Sequence, residues 1–341
     1  MSEGKRLLVV GAGFSGAVLA RELAEGGFFV KVIDKRAHVG GNAFDYVNEI
    51  GLRVHQYGPH LFHTSNMKVV EWLSRFTDWT PYQHKVKAQL KDGRLVTLPV
   101  NKETREIVGE ANVLDIFFRP YSRKMWGLSL EELHPGILQR VPVRDDLNEL
   151  YFPNDQFQAL PSEGYARLFE KILDHPNIDL HLMTVFDRAA EHEFMHVFNS
   201  MPIDEYFDYA LGRLPYRSIK FHHFNLPISG VYPVSTVNFT DDKPFTRVTE
   251  WKNLPGHGSN DAFTTLTIEE PCDDADNNFE RFYPVKDISG KNMALYKAYK
   301  GLTRNNMTFM GRCGMYAYLD MHQAISSAMA ISHEFLCQNS K

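Results

Sequence analysis

The chain is poor in the features that mark several large classes of protein. Three cysteines stand in 341 residues, Cys272, Cys313 and Cys337, widely spaced and odd in number. That excludes a disulfide framework and a CxxC-type metal site, and fits free thiols in a reducing compartment. No run approaches the roughly 18 consecutive apolar residues that span a bilayer. Lys5-Arg6 before Leu7 to Val10 imitates the start of a signal peptide, but the apolar run breaks at once into glycines and reads as a strand. There is no basic excess: 37 Lys and Arg face 42 Asp and Glu, a formal net charge of −5. Nucleic acid is therefore not an expected partner, while a local basic site for a small anion stays open. What remains is an ordinary globular composition, 43% hydrophobic and 23% charged, expected in the cytoplasm as two or three structural units. No repeat, low-complexity tract or linker separates them, so the units are expected to interleave.

The first forty residues speak most clearly. Leu7-Leu8-Val9-Val10 suits a strand buried on both faces of a parallel sheet. Gly11-Ala12-Gly13-Phe14-Ser15-Gly16 follows, then a helix over Ala17 to Glu25, and a second strand from Phe28 to Ile33 that ends at Asp34. In this βαβ unit the glycines serve a tight turn, close approach of backbone to a pyrophosphate, and helix–strand packing. The helix N-terminus offers free N–H groups to the phosphates, and Asp34 suits a ribose diol. Lys35-Arg36 and Val39-Gly40-Gly41-Asn42 add a second glycine turn, a pattern that resembles the extended fingerprint of FAD-binding folds and favours FAD over NAD.

Further along, Gly51 to Thr64 reads as a ring-rich loop near the cofactor. His60 and His63 within it lack a third ligand of suitable spacing, so no metal site is expected. Residues 81–100 read as strands around the Asp92-Gly93 turn, Asn101 to Leu133 as helical, Ile219 to Asn238 as strand, and Gln323 to Leu336 as a last helix. From the residues alone Tyr283 and Tyr318 read as core tyrosines, and for Arg140 and Arg247 a surface or structural salt bridge is the competing role.

Beyond the fingerprint, a series of segments resembles the bacterial UDP-galactopyranose mutase family, in the family's order and over nearly the whole chain. They include Gly58-Pro59-His60-Leu61-Phe62-His63-Thr64, Tyr121-Ser122-Arg123-Lys124-Met125-Trp126-Gly127 and Arg140-Val141-Pro142-Val143-Arg144. Tyr151-Phe152, Leu214-Pro215-Tyr216-Arg217-Ser218, Thr246-Arg247-Val248-Thr249-Glu250, Tyr283-Pro284-Val285 and the run from Gly311 to Met321 complete the series. The resemblance implies an α/β fold: a Rossmann-like FAD-binding domain (1–80, 195–218 and 300–341), a small helical domain with a mobile active-site loop (101–150) and an antiparallel sheet domain for substrate (81–100, 151–194 and 219–299). It implies an isomerase that interconverts pyranose and furanose forms of a nucleotide-linked sugar without net redox change, serving cell-surface polysaccharide. The family's flavin must be reduced, with NAD(P)H as external reductant, and its N5 attacks the anomeric carbon as the diphosphate leaves.

Residue by residue, the resemblance makes Arg140 and Arg247 the diphosphate clamp, a task suited to bidentate guanidinium groups, and places His60 by the flavin ring. Phe117, Phe118, Tyr121 and Trp126 would hold the nucleobase and ribose. Tyr151, Phe152 and Asn238 would surround nucleotide and sugar, and Tyr283 and Tyr318 would donate to the diphosphate. The cofactor would be held by Gly11, Gly13, Phe14, Ser15, Gly16, Asp34, Lys35, Gly41, Asn42, His60, Arg312, Asp320 and Met321. Two departures bear on substrate and assembly. Met125 stands where the family has a glutamine in polar contact with the nucleotide, which leaves thymidine open beside uridine. The stretch from Pro99 to Trp126 is about thirty residues shorter than the family's, an expectation from the resemblance rather than a spacing rule; it belongs to the region the family uses partly for dimer contacts, so a homodimer stays open. An FAD amine oxidase or desaturase, and a non-catalytic nucleotide-sugar-binding flavoprotein, are the competing readings.

Overall fold

The computed structural model describes residues 6–132 and 143–339. At its centre is a five-stranded parallel sheet in the order Ile178–His181, Phe29–Ile33, Arg6–Val10, His196–Asn199, Met307–Phe309. The chain leaves Arg6–Val10 toward one edge and returns on its other side, so strand order reverses there. At such a switch point the loops diverge and open a crevice at the carboxyl ends of the strands.

The helix Phe14–Glu25 packs on this sheet, and the helix Met321–Asn339 packs on that helix. Ala17, Val18, Leu19, Ala20 and Leu23 are wholly inaccessible, and Ile325, Ala328 and Phe335 of the last helix join the same core. A helix covered on both sides has little need of a polar face. Burying each Val or Leu here contributes about 1.5–3 kcal/mol.

The substrate half is a seven-stranded sheet in the order Tyr283–Pro284, Tyr216–Leu226, Thr264–Asp273, Arg247–Glu250, Thr236–Phe239, Val86–Gln89, Leu95–Leu98. It is antiparallel except where Thr236–Phe239 runs parallel to Val86–Gln89. Over its far end lies the helical segment: Lys102–Val108, capped by the Asn101 side chain accepting from the Thr104 N–H, then a π-helical turn Leu114–Phe118 and the helix Arg119–Trp126. Wide turns of this kind often re-aim side chains at functional sites.

Two expectations need correction. The segment 151–194 was expected with the substrate sheet, but Ile178–His181 pairs in parallel with Phe29–Ile33, and Tyr165–Leu173 packs on Phe14–Glu25. The apolar face of that helix, with Leu168, Phe169 and Ile172 buried, is completed by the nucleotide-binding core. The expected loop over Gly51 to Thr64 contains two short strands, Arg53–His55 and Phe62–Thr64, with the turn between them. The first pairs with Asp45–Val47 and the second with Phe157–Pro161.

Candidate active site

The crevice at the switch point is lined by both glycine turns. Gly11, at φ +102°, donates its N–H to the Ile33 carbonyl at 2.7 Å, closing the turn against the second strand. A Cβ on Gly16 would stand 1.8 Å from the Gly11 carbonyl oxygen, and one on Gly41 would stand 3.0 Å from the Gly13 Cα. The two turns are thus stacked backbone on backbone, joined by the Gly40 N–H donating to the Ala12 carbonyl. Asp34 accepts from the Ala12 N–H at 2.8 Å with one carboxylate oxygen and from the Arg36 N–H at 2.9 Å with the other. Each oxygen keeps a further lone pair for a hydroxyl.

Gly11, Gly13, Phe14, Ser15, Gly16, Asp34, Lys35, Gly41, Asn42, His60, Arg312 and Met321 all line this cleft. Asp320 opens the last helix between two cleft-lining residues, Leu319 and Met321, its carbonyl accepting from Gln323 and Ala324. The cradle, which any side chain would fill, fits the pyrophosphate of a dinucleotide. His60 and Arg312 line the same cleft as the glycine turns.

Sequence reasoning missed part of the opposite wall. Arg36 stacks 4.4 Å over Tyr57, donates to Asn42, and pairs with Glu280 at 2.8 Å. Glu280 and Phe279 come from the segment after the long strand Thr264–Asp273, and only tertiary folding brings them here. Cys313 also lines the cleft; burial pushes its thiol up to about 11, so it is no ready nucleophile.

Arg312 joins this cleft to a second group of residues. Its guanidinium donates to the Phe282 and Leu319 carbonyls and stands 4.9 Å from the Tyr283 ring and 5.3 Å from the Tyr318 ring. The two tyrosines stack at 5.2 Å, and Trp126 lies 6.3 Å from each. Tyr121 and Met125 pack into the same cluster around Ile219. Burial raises the Tyr121 phenol above its ordinary value, so it stays a protonated donor.

Sheet register supplies the cationic element. Asn238, Arg247, Glu269 and Phe221 are successive cross-strand partners, so they form one row on one face. Phe221 packs into the Trp126 and Tyr283 cluster, which shows that this face is turned toward the site. Burial works against the Arg247 charge, but the Glu269 carboxylate 2.7 Å away outweighs it and holds the guanidinium charged.

His60 borders the row. Its Nδ1 is 2.9 Å from the Gly58 carbonyl, so Nδ1 carries the proton and Nε2 the lone pair. Burial brings its pKa down to about 4, leaving the ring neutral. A Cβ on Gly58, at φ +79°, would stand 2.7 Å from the Glu269 carboxylate and 2.8 Å from the Phe221 ring.

The remaining predicted residues lie in other packings. Phe152 stacks on His63 at 3.5 Å, and His63 is fixed by Asp155 at 2.6 Å. Tyr151 stands edge-on to Phe152, and its N–H donates to the His84 carbonyl. Phe117 is buried with Val86, Ala88 and Val113, and Phe118 packs against that cluster. Arg140 lies outside the described residues. Arg217, which held no assigned role, donates to the Met125 and Lys124 carbonyls and so grips the end of the helix bearing Tyr121 and Trp126. No group of three or more metal-ligating side chains occurs among the described residues, and no helix among them is long and apolar enough to cross a membrane.

Comparison with known proteins agrees with this geometry. A family profile described as UDP-galactopyranose mutase matches residues 116–318, and an NAD(P)-binding Rossmann-like profile matches 9–76. The chain is 35% identical to a probable UDP-galactopyranose mutase of Klebsiella pneumoniae, over 97% of this chain and 95% of that one. It is 33% identical to a dTDP-fucopyranose mutase of Escherichia coli, over 98% and 99%. Among solved structures, a reduced UDP-galactopyranose mutase superposes with a TM-score of 0.76 at 16% identity, covering 99% of this chain and 95% of that chain. A putrescine oxidase follows at 0.54 and 13%, covering 98% and 99%, a kinship of fold alone. The expected α/β architecture with a Rossmann-like domain is present, and the relatives favour an isomerase over an amine oxidase. By sequence over nearly its full length, the chain belongs to the UDP-galactopyranose mutase family.

Proposed function

We propose that the protein interconverts the pyranose and furanose forms of a nucleotide-linked sugar, with FAD held in the switch-point cleft and the nucleotide diphosphate held against Arg247. One observation carries the reading: Arg312 bridges the dinucleotide cleft to the Tyr283–Tyr318 pair, with Tyr121 and Trp126 packed beside them, so a flavin ring and a diphosphate would meet at a single point. When bound and reduced, the flavin supplies an electron pair at N5 for the anomeric carbon.

The chain's own residues do the rest. As the sugar–phosphate bond breaks, negative charge gathers on the diphosphate, and Arg247, kept charged by Glu269, opposes it in a low-dielectric setting. The phenols of Tyr283 and Tyr318 donate to the same oxygens, Tyr121 and Trp126 hold the nucleobase and ribose, and Arg140 is proposed as the second clamp. The neutral His60 ring would present a lone pair, not a charge, to a flavin bound in the cleft it lines. Leaving-group stabilisation of this kind suits transfer of a glycosyl group and has no task in amine oxidation.

The nucleotide is either uridine or thymidine diphosphate. Met125 is packed with Trp126 and Ile219 and brings no amide to the base, and relatives of both nucleotide types are about equally similar. Action in the cytoplasm with NAD(P)H as reductant is part of this proposal. The test is anaerobic: protein reduced with dithionite is offered UDP-galactofuranose and a dTDP-linked furanose in parallel, with oxidised protein as control. Conversion to the pyranose only after reduction is expected. Flavin and UDP bound without conversion of either sugar would leave the non-catalytic reading standing.

A further inference from the structure

Behind the Gly58–His60 turn, on the side away from the cleft, lie two buried histidines, His55 and His257, 1% and 3% exposed. The backbone N–H of His60 donates to His55 Nδ1 at 3.0 Å. His55 Nε2 lies 3.0 Å from His257 Nε2, and His257 Nδ1 lies 3.0 Å from the Pro255 carbonyl oxygen. These contacts settle every proton. A ring nitrogen that receives an N–H must be bare, and one that faces a carbonyl must carry hydrogen. His55 is therefore the Nε2–H tautomer and donates to the bare Nε2 of His257, which is the Nδ1–H tautomer and donates to Pro255.

The chain of bonds has one direction and no free end, running from the His60 N–H through two imidazoles to a main-chain carbonyl. Trp251, wholly buried, packs 4.9 Å from His55 and lies parallel to His257 at 6.2 Å, so both rings sit in a buried aromatic setting. Burial pushes His55 well below the ordinary histidine range and His257 down to about 4, which keeps both neutral as the bonding requires. On its other side the turn is pinned by Glu269 and Phe221 against Gly58. The turn that carries His60 is thus held from two directions, by the diphosphate-side sheet in front and by the histidine pair behind.

We propose that His55 and His257 are positioning residues, which fix through the His60 N–H where the His60 imidazole stands against the flavin ring. The proposal rests on the flavin reading given above.

Four variants test it. His55→Asn keeps an acceptor where Nδ1 stood and His257→Gln keeps one where Nε2 stood; His55→Phe and His257→Phe keep a flat ring and lose the nitrogens. For each, flavin content, the absorption spectrum and midpoint potential of bound flavin, UDP affinity and turnover are measured. The Phe variants are expected to retain flavin and UDP, to shift the flavin band and potential, and to lose about tenfold in kcat, the worth of one ordinary hydrogen bond. The Asn and Gln variants are expected to recover most of that loss. Phe variants with unchanged spectrum, potential and kcat would overturn the proposal, as would Asn and Gln variants no better than Phe. Should the Phe variants fail to fold, nitrogen-15 NMR of the unmodified protein decides: His55 as Nε2–H with His257 as Nδ1–H supports the relay, and the reverse assignment overturns it. Purified protein that binds no flavin at all would remove the flavin reading itself, and this proposal with it.

Discussion

Arg247 and Glu269 face each other across neighbouring antiparallel strands, guanidinium Nε 2.7 Å from carboxylate Oε1. The acid is 2% exposed and the arginine 32%, so the pair is anchored at its acidic end and open at its basic end. The ion pair keeps Nε beside Glu269 and leaves about a third of the arginine side chain exposed, where a planar fork suits a phosphate. Replacing the arginine therefore has two separable consequences.

Arg247→Lys keeps the charge but loses the fork, and is expected to lower kcat/KM by about 10²–10³, the worth of one aligned donor at a developing anion. Arg247→Ala also strands a buried carboxylate and is expected to cost about 1–3 kcal/mol of stability. Arg247→Ala combined with Glu269→Gln should regain stability but not activity. Steady-state kinetics and urea unfolding of the three variants read the two effects independently.

Gly58 and Gly51 make a matched pair, with φ of +79° and +83°. A methyl group on Gly51 meets nothing within 4 Å, whereas on Gly58 it strikes Glu269 and Phe221. Gly51→Ala should show only the left-handed backbone cost, about 1–2 kcal/mol, and full turnover. Gly58→Ala should add about 1–3 kcal/mol of overpacking and lose turnover as the His60 turn is displaced. Thermal unfolding and turnover measured side by side would refute the reading if the two variants behaved alike.

How much of this was legible in the sequence follows from the range of the interactions involved. Gly11, Gly16 and Asp34 could be read because strand, turn, helix and acid are contiguous and each glycine's task is local. The Arg247–Glu269–Phe221 row could not, because it depends on strand register, which residue periodicity alone does not reveal. Arg247 was found only through its resemblance to a family, and Glu269, His55 and His257 were not found at all. The misplaced segment 151–194 failed for a related reason. Ile178-Asp179-Leu180-His181 is a largely exposed edge strand, and its short, weak alternation cannot say which of two sheets it joins.

Acid should weaken the fold through its buried histidines. Burial holds His60 and His257 near 4 and His84 near 3, all below the unfolded value of 6.5. A depressed folded-state pKa means the unfolded chain binds the proton first, so this stability is complete above about pH 6.5 and drains away as pH falls toward 4. Each histidine contributes a slope of up to about 1.4 kcal/mol per pH unit. Urea midpoints at pH 7, 6 and 5 should fall steadily, in a window largely above the ordinary carboxylate range. A midpoint constant from pH 7 to 5 would contradict the neutral, buried assignment of these rings.

Lys124 links the two elements that would form the proposed nucleotide site. Its ammonium donates to the Phe239 carbonyl at 3.0 Å and the Phe245 carbonyl at 2.9 Å, with Asp241 at 3.7 Å, so it spans the hairpin between Asn238 and Arg247. Its own helix carries Tyr121 and Trp126. Lys124→Met keeps the aliphatic stem and removes all three interactions, so the hairpin and the helix should no longer share one geometry. We expect UDP affinity to fall by about tenfold, since hydrogen bonds from a charged donor are worth about 1.5–3 kcal/mol each and water replaces part of them, while flavin content is unchanged. In a double-mutant cycle with Tyr121→Phe, the two losses should fall short of additive, because each disturbs the same junction of helix and hairpin. Additive losses, read by calorimetric titration with UDP, would show that the lysine holds its hairpin without coupling it to the helix.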